Sequence, residues 1–128
     1  MKQSQRSRRI ADLIVRELGA IFLSSPLEPS AGFVTITGCE VSVDLRFARV
    51  FYSVLGGAES WPRAAQALEK VRGRLRGEIA HRLDMRHTPE LIFTPDHSLE
   101  EGDKIERLLR EAGPIPPKAP EGDGETEG

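Results

Sequence analysis

The segment Ala64–Phe93, AAQALEKVRGRLRGEIAHRLDMRHTPELIF, holds the densest positive charge and the clearest helical pattern in the chain. Leu68, Val71, Leu75, Ile79 and Leu83 recur every three or four residues, the spacing that lines one face of a helix against a core. Lys70, Arg72, Arg74 and Arg76 fall at every second position with no acid between Glu69 and Glu78, so one straight helix would scatter them around its circumference. Arg72 lies four residues after Leu68 and three before Leu75, inside the apolar stripe, where an unpaired charge is costly. Gly73 follows it, and glycine tolerates unusual backbone angles while being roughly 1 kcal/mol poorer than alanine inside a helix. The pattern predicts two helices meeting at a sharp break near Val71-Arg72-Gly73. Arg72, Arg74 and Arg76 would then surround an elbow whose freed N–H groups suit an anion. A plainer arrangement also fits: a solvated arginine face, with the glycine marking close packing against a neighbour.

Upstream, Ile10, Leu13, Ile14, Leu18, Ile21 and Phe22 follow the helical period and predict a first helix from Ser7 to Phe22, with Arg8 and Asp12 as an i,i+4 pair. Two prolines and a glycine in SSPLEPSAG, Ser24 to Gly32, end it in a loop. Phe33–Ser42 and Phe47–Leu55 are rich in β-branched and aromatic residues and read as strands. Only Val43–Arg46 separates them, which makes antiparallel pairing the expectation. Ser60-Trp61-Pro62 looks like a helix start with Ser60 as N-cap, and Trp61 as a packing anchor. Thr88-Pro89 introduces a third strand, Glu90 to Thr94. Ser98 to Glu101 has the S-x-x-E form of a capping box, followed by Leu99, Ile105, Leu108 and Leu109 for a short C-terminal helix. The order of elements is that of an α+β layer, helices on one face of a three-stranded sheet.

The 128 residues suit one domain, 1–112, and Gly113 followed by PIPPKAPEGDGETEG predicts a disordered acidic tail over 113–128. The formal net charge of −2 hides an asymmetry: residues 1–113 hold seventeen Lys/Arg against sixteen Asp/Glu, and the last fifteen hold one against four. Lys2, Arg6, Arg8 and Arg9 precede the first acid, Asp12, and form a second basic cluster. Local potential of this kind is what attracts a phosphate backbone. Cys39 is the only cysteine, so an internal disulfide and a thiolate-rich metal site are excluded, and a small buried hydrophobe in the sheet is its expected role. No apolar run is long enough to span a bilayer, and a cytoplasmic, membrane-free location is expected.

The element order, VSVDLRFARVFYSVL (with Asp44, Leu45, Ala48 and Val50), the Arg-rich break, and Pro89-Glu90-Leu91 with Phe93, Asp96, Ser98 and Gly102 together resemble the ribosome-binding factor A family over roughly residues 5–110. The resemblance implies a type II KH-like fold, helix-strand-strand-helix-kink-helix-strand. In that family an A-x-G kink replaces the usual G-x-x-G loop; the corresponding residues are Val71-Arg72-Gly73, with valine where alanine is usual. It further implies a monomeric, non-catalytic factor, without cofactor, that binds the small ribosomal subunit, its rRNA and neighbouring ribosomal proteins late in maturation. Processing of the rRNA precursor and particular importance in the cold belong to the same implication. Lys70, Arg72, Gly73, Arg74 and Arg76, with Arg82, Arg86, Arg8 and Arg9, are the expected RNA-binding residues.

Two other classes bear on the same residues. A small nuclease would need His81, His87 and His97 with Glu90 and Asp96, whose spacing matches no metal-ligand or acid–base motif. A protein-docking module would work through Leu108-Leu109 or the tail.

Overall fold

The computed structural model describes residues 2–98. Helix α1 spans Gln5–Ser24, a 3-10 turn Pro29–Ala31, strand β1 Phe33–Val41, strand β2 Phe47–Leu55, helix α2 Ser60–Leu83 and strand β3 Glu90–Pro95. The expected C-terminal helix, its capping box beyond Ser98, the domain boundary at 112 and the acidic tail all lie outside the described residues.

Helix α1 begins two residues before the expected Ser7 and ends two after the expected Phe22. Ser4 Oγ accepts the Ser7 N–H at 3.0 Å while Ser7 Oγ accepts the Ser4 N–H at 2.6 Å. This is a reciprocal capping box built with serine in place of glutamate, and it satisfies two donors at the helix start. Ala11, Ile14, Leu18 and Ile21 form the buried face. The Arg8–Asp12 pair does not form: neither side chain has an ion pair among the described residues. At the start of α2, Ser60 is the first helical residue rather than the cap. Its N–H donates to the Gly57 carbonyl at 2.9 Å, and its side chain is buried. Trp61 anchors this end by packing against Tyr52, ring centroids 6.1 Å apart.

The sheet has the order β1-β2-β3. β1 and β2 pair antiparallel as expected, from Phe33 opposite Leu55 to Val41 opposite Ala48, with Thr37 left over as a bulge between the Ile36–Tyr52 and Gly38–Phe51 pairs. β3 pairs parallel to β2, Phe47 opposite Glu90 through Tyr52 opposite Pro95, so α2 is the crossover that a parallel pair requires. Both helices lie on one face. Ile14, Leu18 and Ile21 of α1 meet Val41, Ala48, Val50 and Leu91 of the sheet and Leu75 and Ile79 of α2. A second cluster gathers Ala64, Ala67 and Leu68 with Tyr52, Val54 and Ala31. Leu68, Leu75 and Ile79 are essentially solvent-free, and truncating one such side chain to alanine costs about 2–5 kcal/mol.

The sharp break expected at Val71-Arg72-Gly73 is absent: α2 runs unbroken for 24 residues. Arg72 escapes the apolar stripe by another route. Its side chain is half-buried and its guanidinium reaches Glu69 Oε2 at 3.0 Å and, across to the edge strand, Glu90 Oε2 at 3.3 Å. Snorkelling to two carboxylates satisfies the charge, so the backbone need not turn.

Candidate nucleic-acid interface

With α2 continuous, no helix N-terminus opens at Arg74, and the freed N–H groups expected there do not exist. The basic residues of the segment instead divide into two sets. One set is engaged within the fold. Arg72 is held by Glu69 and Glu90; Arg76 donates from Nε and Nη2 to the Thr88 carbonyl oxygen at 3.2 and 2.9 Å; Arg82 reaches Glu17 of α1 at 3.2 Å.

The other set is available. Lys70 has no ion pair or hydrogen bond among the described residues, and Arg74 has only a loose 4.0 Å approach to Glu78. Lys70, Arg74, Gly77 and His81 follow one another at intervals of four, three and four, so they share one exposed helix face. Gly73 lies beside them. A Cβ built at Gly73 or Gly77 meets nothing within 4 Å, so neither glycine serves the close packing that the sequence allowed as its plainer explanation. The face therefore presents two cations flanking a strip of bare backbone.

Arg86 stands elsewhere. With Arg6 of α1 and Arg46 of the β1–β2 turn it rims a groove of about 910 Å³ between the start of α1, that turn and the α2–β3 connection. Arg8 and Arg9 are exposed on α1 but do not line it. Sequence reasoning missed Arg46 altogether and counted Arg6 only as part of the basic amino-terminal cluster. No periodicity links the two, because the turn and the helix meet only in the tertiary structure.

The turn that presents Arg46 is tightly specified. Asp44 Oδ1 accepts from Ser42 Oγ at 2.7 Å and from the Arg46 N–H at 3.1 Å, while Leu45 occupies the left-handed region at φ 61°. The Ser42 hydroxyl, followed by the Arg46 N–H, holds the Asp44 carboxyl below its ordinary range. Cys39 is the opposite case: burial, then Glu40 and Asp12, push its thiol up to about 12, the behaviour of a packing residue. Among the described residues no group of three or more His, Cys, Asp or Glu side chains could hold a metal, so the histidines form no such site there. No described helix is long and apolar enough to cross a membrane.

The model of the ribosome-binding factor A family matches residues 6–109. The chain belongs to the ribosome-binding factor A family. The Desulforamulus reducens ribosome-binding factor A is 42% identical over 108 residues, covering 84% of this chain and 90% of the relative. The Nitrosomonas eutropha ribosome-binding factor A is 39% identical over 111 residues, covering 87% and 95%. The crystal structure of ribosome-binding factor A from Thermus thermophilus shares the fold, with a TM-score of 0.53 at 22% identity over 74% of this chain and 97% of that one. Within the ribosome-binding factor A frame, the α2 face and the Arg6–Arg46–Arg86 groove are two cationic surfaces that the described carboxylates and carbonyls leave largely open.

Proposed function

We propose that this chain binds the small ribosomal subunit and its rRNA late in assembly and assists maturation, including processing of the rRNA precursor, without chemistry of its own. Family membership supports the general role. The observation that carries the site is the Lys70–Arg74 face, where Lys70 and the loosely paired Arg74 stand beside the bare backbone of Gly73 and Gly77. Phosphates attract to the cations, and the missing side chains let a sugar–phosphate chain come close to the helix. Arg72, Arg76 and Arg82 support the same surface from behind by fixing α2 to β3 and α1. The protein acts as a cytoplasmic monomer, its partners rRNA and the ribosomal proteins that border it. Its contribution is greatest in the cold, where misfolded RNA rearranges slowly.

The test is co-sedimentation with purified small subunits, immature and mature, across a salt series, comparing the wild type with Lys70→Gln/Arg74→Gln. The wild type pellets with a steep loss of affinity as salt rises. The variant binds more weakly, and its slope of log affinity against log salt is shallower by about 1.4–1.8, two phosphate contacts' worth. Salt-insensitive pelleting, or a variant equal to the wild type, would move the interface off α2.

A further inference from the structure

The groove beside the C-terminal end of α2 has a chemistry that the α2 face lacks. Arg6, Arg46 and Arg86 rim it, and none has a side-chain hydrogen bond or ion pair among the described residues. Two of the carboxylates beside them are engaged: Asp44 accepts from Ser42 and from the Arg46 N–H, and Glu90 accepts from Arg72. Arg76, which also reaches the groove, is held on the Thr88 carbonyl. Hydrogen bonds to neutral groups leave Asp44 and Arg76 charged, so four guanidiniums, those of Arg6, Arg46, Arg76 and Arg86, face the carboxylates of Asp44 and Asp84, an excess of two cations. Between the cations the floor is aliphatic and half-buried, formed by Ile10, Leu13, Leu83 and Met85.

Such a groove fits a ligand that is flat and weakly polar on its faces and anionic at its edge. The volume of about 910 Å³ falls in the range, roughly 300–1,000 Å³, of pockets that take a single organic ligand. We propose that it seats one unstacked nucleotide of single-stranded RNA, the base against the aliphatic floor and the flanking phosphates on Arg6, Arg46 and Arg86. A paired base in a duplex has both faces stacked and cannot lie on that floor, so the groove selects single strands. The choice of RNA over an acidic peptide rests on the function proposed above.

The chain has two methionines, Met1 and Met85, so ¹³C-methyl-methionine labelling of the full chain gives a reporter on the groove floor. The probe is single-stranded octa-adenylate, with affinity read by fluorescence anisotropy. The Met85 methyl resonance shifts under the ring current of the bound base, and an abasic ribose-phosphate octamer of equal charge leaves it in place. Arg46→Gln/Arg86→Gln weakens octa-adenylate about tenfold and lowers the salt slope by about 1.4. An unmoved Met85 at saturating RNA, an equal shift with the abasic octamer, equal affinity for polyglutamate, or an unaffected Arg46/Arg86 variant each overturns the inference. Because the probe is short RNA alone, failure here is distinct from failure to pellet with small subunits.

Discussion

Arg76 and Thr88 are joined by two hydrogen bonds, Nε and Nη2 of the one to the main-chain carbonyl of the other, twelve residues along the chain. The guanidinium fork thereby ties the third quarter of α2 to the segment that delivers β3, so an arginine expected to face a phosphate also holds the fold together. Arg76→Ala lowers stability by about 1 kcal/mol, the scale of a charge-assisted bond at an exposed site, and Arg76→Lys recovers only part of it. Urea unfolding followed by circular dichroism measures both; an alanine variant as stable as the wild type would mean that the clamp contributes nothing.

Gly73 and Gly77 separate stability from binding. Alanine fits at both positions and improves helix propensity, so each substitution stabilises the chain by about 0.5–1 kcal/mol. On an RNA-contacting face the same methyl groups obstruct close approach. Thermal melts that rise while small-subunit affinity falls are the expected pair of results, and affinity that holds steady would place RNA on another surface.

Glu90 ties Arg72 to the edge strand. Glu90→Gln removes one of the two carboxylates on that guanidinium at a cost below about 1 kcal/mol, since the pair is partly exposed. Arg72 stays on Glu69 at 3.0 Å and, two residues from both Lys70 and Arg74, projects from another side of the helix, so small-subunit binding and its salt slope hold at the wild-type values. A salt series on the single variant decides this, and a steeper slope would bring Arg72 into the interface.

Cys39 links stability to alkaline pH. Its thiol titrates near 12 in the folded chain against an ordinary 9.0, so the folded state favours the neutral form. That contribution is complete below pH 9 and is lost as pH rises through 9 towards 12, at no more than about 1.4 kcal/mol per unit. Comparing wild type with Cys39→Ala in urea at pH 8 and pH 10.5 isolates it: the wild type loses more stability between the two. Equal losses would show that the thiol ionises freely.

Much of this architecture is written locally. Phe47–Leu55 is recognisable as a strand to the residue because its alternation matches a half-buried pleat, and the apolar stripes of both helices are visible at their period. The failures share one cause. Arg72 looks like a helix breaker when only its neighbours along the helix are considered; the carboxylate that completes its environment, Glu90, is eighteen residues away and reaches it only once β3 is paired. The parallel direction of β3 and the meeting of Arg6 with Arg46 are likewise products of the sheet's closure. Ser4 escaped notice because its capping partner is a serine rather than the usual glutamate. The candidate site was legible as a basic segment, and its division into clamps and free cations was not.

The parallel pairing of β2 with β3 sets an order on assembly. β1 and β2 can form a hairpin as soon as residue 55 is available, but β2's second edge waits for the whole of α2 and the turn after it, some forty residues of chain. Until then a strand carrying Val50, Tyr52 and Val54 shows an unpaired row of backbone groups, the template from which sheets aggregate. During synthesis this domain passes through an interval of vulnerability that ends only when Glu90–Pro95 arrives.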